Sequence, residues 1–165
     1  MLSASQNDLL CRVGPDTPMG RVFRRFWNPI CMSDQVPAPD GNPLRLEILG
    51  EWVVLFRDSR GHLGLLPEAC MHRGVSLALG RVESDGIRCL YHGWKFAVDG
   101  TVQETPNHPV AGFKERLRAT AYQVQEKGGF VWAYMGEPGK TPPFPRWRFF
   151  DFDPAHVRRV RLYAN

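Results

Sequence analysis

Two short segments constrain this chain more than anything else in it: Cys70-Met71-His72-Arg73-Gly74 and Cys89-Leu90-Tyr91-His92-Gly93-Trp94. Each brings one thiol and one imidazole into a tight loop, in the order C-x-H, sixteen residues, C-x-x-H. A single tetrahedral ion such as zinc accepts two Cys and two His, but zinc fingers group like ligands, as C-x2–4-C and H-x3–5-H. Here each loop carries one ligand of each kind. A two-iron centre with inequivalent irons can use that arrangement, two Cys on one iron and two His on the other. The bland alternative, buried thiols and core histidines, has to produce both matched pairs by coincidence.

Composition sets the frame around those loops. Gly and Pro together make 30 of the 165 residues, above the usual ~12%, and with five Trp and ten Phe they suggest a loop-rich β protein rather than a helical bundle. The apolar fraction of 43% and charged fraction of 23% suit a globular chain and argue against global disorder. No apolar run approaches the roughly 18–20 residues of a membrane span. The first twenty residues lack a basic-then-apolar export pattern, so the expected location is cytoplasmic, without membrane association. The net charge is +4. The arginines are scattered and no nucleic-acid module accompanies them, so no nucleic-acid partner is expected; a contact with an acidic redox partner suits them better. Cys11 and Cys31 have no ligand-spaced neighbour and read as small buried hydrophobes. His62 and His108 read as structural or surface residues.

Along the chain, Thr17-Pro18 reads as the N-cap and first position of a short helix. Met19, Val22, Phe23, Phe26 and Trp27 then fall at helical spacing and predict one buried face, with Arg21, Arg24 and Arg25 solvated and Pro29 as the stop. From Leu44 the period becomes two, predicting a half-buried strand over 44–48. Trp52–Arg57 reads as a denser central strand and His62–Leu66 as the third strand of a meander. Asp99-Gly100 joins Trp94–Val98 to Thr101–Gln103, and Lys127-Gly128-Gly129 joins Ala119–Gln125 to Phe130–Met135. Four prolines between Pro138 and Pro145 predict an extended connector. The expected organisation is a helical lead-in over 1–26, an antiparallel β domain over 27–136 and a proline-rich connector over 137–165.

The paired loops resemble the Rieske [2Fe–2S] motif. The chain around them is similar to the N-terminal Rieske domain of ring-hydroxylating oxygenase large subunits, the phthalate 4,5-dioxygenase type in particular. That resemblance runs from Arg12-Val13-Gly14-Pro15-Asp16-Thr17-Pro18-Met19-Gly20 through Tyr91-His92-Gly93-Trp94-Lys95-Phe96 to Val131-Trp132-Ala133-Tyr134-Met135-Gly136. It implies a mainly β fold, an antiparallel β-sandwich with a cluster-binding subdomain. It also implies one [2Fe–2S] cluster, with Cys70 and Cys89 on the buried iron and His72 and His92 on the outer one. Neutral imidazoles raise the outer iron's potential, so the electron enters there. Gly74 and Gly93 let the backbone bend and aim N–H groups at the cluster sulfurs. Respiratory Rieske proteins add a loop-bridging disulfide. Its matching positions here, near Val75 and at Leu90 or Tyr91, hold no Cys, which places the potential near the low end of the range, about −150 mV. Trp94 and Tyr91 read equally as cluster shields and as ordinary packing.

The same resemblance implies an electron relay from a flavin/iron–sulfur reductase or ferredoxin. The relay leaves through His92 toward a mononuclear Fe(II) site with two His and one carboxylate, in a homotrimeric parent acting on an aromatic substrate. Asp153-Pro154-Ala155-His156 mimics the first half of that site's D-x2-H-x4-H motif. Position 161, where the second His would fall, is Arg161, so the match reads as coincidence. The mononuclear iron, and with it any oxygenase activity, is expected only in a catalytic domain that this chain does not contain. The alternative is a stand-alone ferredoxin-like Rieske carrier, which has no need of the segment after Met135.

Overall fold

Period-two alternation at Leu44–Ile48 and the dense apolar run after it form two strands of an antiparallel meander in the computed structural model, which describes residues 1–36, 38–108, 110–153 and 155. Strands β1 (Trp27–Met32), β2 (Leu44–Ile48), β3 (Glu51–Arg57) and β4 (Leu63–Pro67) come first in the chain. Then follow β5 (Arg81–Glu83), β6 (Gly86–Arg88), β7 (Lys95–Phe96), β8 (Val102–Glu104), β9 (Gln123–Lys127) and β10 (Phe130–Tyr134). Three antiparallel sheets result, ordered β1-β10-β9, β2-β3-β4 and β5-β6-β7-β8. The strand expected to start at His62 starts at Leu63. No helix among the described residues is long and apolar enough to cross a membrane.

β3 is apolar at consecutive positions because both of its faces are buried. Val53 and Leu55 join Leu65, Val131, Ala133 and Met135 in a core between the first two sheets. Val54 and Phe56 point the other way, into a second core with Leu66, Ile87, Phe96, Val102, Cys70 and Cys89. One central strand therefore couples the sandwich to the subdomain that carries both ligand loops. The sandwich closes through a bridge between Leu65 and Tyr122, whose N–H donates to the Leu65 carbonyl at 2.9 Å. On the outer face of β10, Trp27, Trp132 and Tyr134 meet Phe144, Phe149 and Phe150. The Trp27 indole donates to the Pro142 carbonyl at 3.0 Å, so the proline-rich segment is seated on the sheet.

The lead-in departs from expectation. Helix α1 (Ala4–Cys11), within the expected helical lead-in, starts at a Ser3–Gln6 capping box and leaves Cys11 exposed rather than buried. Cys31 is half-buried against the sandwich core. Helix α2 (Pro18–Phe23) has the predicted Thr17 cap and Pro18 start but ends six residues before Pro29. Its buried face is only partly the predicted one: Trp27 is buried and Arg21 and Arg25 are exposed as expected, but Val22, Phe23 and Phe26 are exposed, while Arg24 is 8% exposed. The Arg24 guanidinium donates to the Val13 carbonyl at 3.0 Å and the Leu49 carbonyl at 2.9 Å, and pairs with Glu51. Charge-assisted hydrogen bonds anchor this short helix where apolar burial was expected. Pro29 lies within β1, which is an edge strand, at a register shift between Pro29 and Cys31 where a missing N–H costs little.

Candidate metal centre

Both ligand loops are built by the same pair of backbone hydrogen bonds. In the first, Cys70 N–H donates to the Val75 carbonyl at 2.9 Å and Gly74 N–H to the Cys70 carbonyl at 2.7 Å. In the second, Cys89 N–H donates to the Trp94 carbonyl at 2.9 Å and Gly93 N–H to the Cys89 carbonyl at 3.1 Å. The offsets from cysteine are identical, although histidine falls two residues on in one loop and three in the other. Both turns close through a glycine in the left-handed region, Gly74 at φ +72° and Gly93 at φ +73°. A side chain there is strained, and at Gly93 a Cβ would also stand 3.3 Å from Pro106.

The loops leave different strands and meet over the second core. The first follows β4 and is closed by a bridge between Ala69 and Ser76. Glu68 fastens it, accepting from the Ser76 hydroxyl at 2.6 Å and from Arg45 at 2.7 Å, which holds its carboxyl below the usual range. The second loop spans the gap between β6 and β7. Cys70 and Cys89 are each 3% exposed. Burial pushes the Cys70 thiol up to about 11, opposed by the His72 and Arg73 backbone N–H groups directed at its sulfur and reinforced by the neighbouring Cys89. Two thiolates side by side in an apolar pocket need a cation between them, so this pair suits a metal site.

The imidazoles form the second half of the site. His72 and His92 rings stand 4.7 Å apart at 69°, and His72 lies flat on the Trp94 indole, 4.5 Å between centroids. Burial, then the charges of His92 and Arg73, lower the His72 pKa and favour the neutral ring that a metal requires. His92 Nδ1 is buried without a hydrogen-bond partner among the described residues, an orphan ring nitrogen of the kind a metal ion satisfies. The Tyr91 ring packs 3.8 Å from His92 while remaining exposed, and Trp94 is buried with its indole donating to Asn107 at 3.1 Å. No three His, Cys, Asp or Glu side chains among the described residues are placed to hold one metal ion. The donors come instead as a thiol pair and an imidazole pair, which is the division a two-iron cluster calls for.

Residues 26–117 match the model of the Rieske [2Fe–2S] domain. The chain belongs to that family. This Rieske domain is 49% identical over 150 residues to the phthalate 4,5-dioxygenase oxygenase subunit of Pseudomonas putida, covering 89% of the chain and 34% of the relative. It is 44% identical over 156 residues to the 5,5'-dehydrodivanillate O-demethylase oxygenase subunit of Sphingobium sp. (strain NBRC 103272 / SYK-6), covering 92% and 36%. Among solved structures it is similar to the reduced complex between oxygenase and ferredoxin in carbazole 1,9a-dioxygenase, with TM-score 0.64 and 32% identity over 73% of this chain and 30% of that one. The chain spans about a third of the length of the curated relatives, their N-terminal part. A Rieske domain binds a [2Fe–2S] cluster, and the buried thiol pair and the orphan His92 nitrogen fit one.

Spacing alone singled out Cys70, His72, Cys89 and His92, which the structure brings together as a buried thiol pair and an imidazole pair. It did not reveal that Trp94 stacks on His72, nor that Arg88 reaches into the second loop. The indole was visible only as an aromatic near the motif, and nothing in the local pattern of Arg88 announced its partners. His156, half of the motif-like match at Asp153, lies outside the described residues.

Proposed function

We propose that this chain is the electron-relay part of an aromatic-ring-hydroxylating oxygenase of the phthalate dioxygenase type, with Cys70 and Cys89 holding one iron of the cluster and His72 and His92 the other. The observation that carries this reading is the division of the donors, two thiols sealed in the core and two imidazoles paired above them. When bound, the cluster supplies a one-electron carrier. Cys70 and Cys89 anchor it in the apolar core, the two matched turns fix its position, and Trp94 holds the His72 ring in its plane.

His92 is the point of electron exit. Its inward Nδ1 is available to the outer iron, and the surface beside it is apolar, with Met71, Leu90 and Tyr91 exposed. Such a tip suits close approach by another protein surface. A flavin/iron–sulfur reductase or a ferredoxin delivers the electron. The acceptor is a mononuclear Fe(II) in a catalytic domain of the parent, a cytoplasmic homotrimer, and the aromatic substrate binds there. The family's relatives include a dioxygenase and an O-demethylase subunit, so the reaction type is set outside this domain.

The test is analytical and spectroscopic. Anaerobically purified chain is expected to be red-brown, with two irons and two labile sulfides per chain. Its reduced-state EPR average g should lie below that of all-cysteine ferredoxins. One zinc per chain and no visible absorption would overturn the cluster reading, and an all-cysteine average g would overturn histidine ligation.

A further inference from the structure

Immediately before Cys89, Arg88 ends β6 with its guanidinium turned back into the loop that follows. Nη1 donates to the Gly93 carbonyl at 2.8 Å, and the same nitrogen lies 2.9 Å from Glu104. Nε and Nη2 grip both oxygens of Glu83 at 2.9 and 3.0 Å. Glu83 is also approached by Arg81 and by the buried Lys95, whose Nζ stands 3.6 Å away. The three nitrogens of the planar arginine fork serve an arrangement like this, and lysine offers no planar equivalent.

From these contacts we infer that Arg88 is a positioning residue for the cluster. It clamps the turn that carries Cys89 and His92 and sets the charge that the bound cluster experiences. The Gly93 peptide is the hinge of that turn: its carbonyl is held by Arg88 while its N–H closes the loop onto Cys89. Glu83 and Glu104 in turn hold Arg88 from β5 and β8, so the clamp is anchored on two strands of the cluster sheet. Among the described residues no arginine donates to a backbone carbonyl of the first loop; its fastening is the Glu68–Ser76 bond, with Arg45 on the far side of Glu68. Clamping is thus asymmetric and falls on the loop of the proposed exit ligand. Because Arg88 is a full positive charge in a half-buried network, its loss leaves two carboxylates less compensated beside the loop and disfavours electron uptake.

The inference rests on the ligand assignment proposed above, and the experiment separates the two. Iron release to a chelator and the reduction potential, by protein-film voltammetry, are measured for the cluster-loaded wild type and Arg88→Lys, Arg88→Gln and Glu104→Gln. Arg88→Lys keeps the charge and loses the fork, so release is expected several-fold faster with the potential near wild type. Arg88→Gln should release faster still and shift the potential down. Glu104→Gln, which keeps the Glu83 grip and the Gly93 bond, should shift it up. Opposite shifts are what a purely structural role does not produce. Wild-type release in Arg88→Lys overturns the clamp, and potentials that stay put or move the same way in Arg88→Gln and Glu104→Gln overturn the charge effect. If Arg88→Gln does not fold, Arg88→Lys decides the clamp and Glu104→Gln the charge. His92→Ala is the control: a cluster retained there refutes the ligand assignment itself, whereas a cluster lost there leaves unchanged Arg88 variants counting against this inference alone.

Discussion

The His72 imidazole and the Trp94 indole lie parallel to within 3°, with 4.5 Å between their centroids. Trp94 is the last residue of the second ligand loop, yet it orients the histidine of the first. Its own orientation is fixed by the bond from its indole N–H to Asn107 and by the edge of Phe113 at 6.0 Å. Trp94→Leu removes the stack and the bond together. Aromatic pairs contribute roughly 0.5–1.5 kcal/mol beyond their area, so iron should leave the variant about 2- to 12-fold faster in a chelator assay. Trp94→Phe should recover part of the loss. Equal release from Trp94→Leu and wild type would show that the stack does not hold the ligand.

Each of the four donors is separately testable. On the proposed assignment Cys70→Ser, His72→Ala, Cys89→Ser and His92→Ala would each leave an iron one ligand short, and each is expected to abolish or gravely impair cluster assembly. Cys11→Ser, at an exposed position on α1, and Cys31→Ser, at a half-buried one, should assemble normally. Visible absorption and iron content per chain provide the readout. Loss of the cluster from a folded Cys11 variant would mean that the ligands are wrongly assigned.

What could be read in advance follows the range of the interactions involved. The paired Cys/His loops, the β2–β3–β4 meander and the β9–β10 hairpin are encoded by neighbours in sequence, so period and spacing expose them. β3 was recognisable because burial on both faces leaves Val53 through Phe56 continuously apolar. The burial of Arg24 was not, because what buries it is a set of acceptors at Val13, Leu49 and Glu51, brought in by the fold. Strands β5 and β6 are three residues each, too short to display a period. β1 was masked by Pro29, which reads as a helix stop and serves instead in an edge strand. Arg88 was hidden for the same reason as Arg24: its meaning lies in Glu83, Gly93 and Glu104.

Arg24 and Glu51 provide the stability test for the lead-in. Both are largely buried, and Tyr122 donates to the other Glu51 oxygen at 2.6 Å, tying α2, β3 and the segment before β9 together. Burial and this bond to Glu51 raise the Tyr122 pKa, so the phenol stays a donor. Removing one member of a buried pair strands the other, a cost of about 3–5 kcal/mol. Arg24→Ala and Glu51→Ala should each lose stability on that scale in anaerobic denaturant titrations. Tyr122→Phe should lose about 1.5–3 kcal/mol, the range for a hydrogen bond to a charged group. A loss under 1 kcal/mol in Arg24→Ala would mean that the lead-in is not stapled through this pair.

Glu83 makes the acid limb of stability predictable. Hydrogen bonds from Arg88, then those from Arg81, and the charges of both hold its carboxyl at about 2 against an ordinary 4.5, with burial opposing. A carboxyl with a lower pKa in the folded chain than in the unfolded one stabilises the fold above the unfolded value. That contribution fades as pH falls from about 4.5 toward about 2. Glu68 and Glu104 are displaced in the same direction by their own arginine or serine partners, so acid weakens both the first loop's fastening and the β5–β8 sheet. Glu83→Gln keeps the shape and removes the charge. The variant should be less stable than wild type at neutral pH, and the gap should narrow as pH drops through 4.5, because the unfolded wild-type carboxyl then takes up a proton that the folded one, held at about 2, does not. Denaturation midpoints of the pair from pH 6 down to pH 3 make the comparison. A gap that stays constant across that window would show that the Arg88–Glu83 grip contributes nothing through its charge.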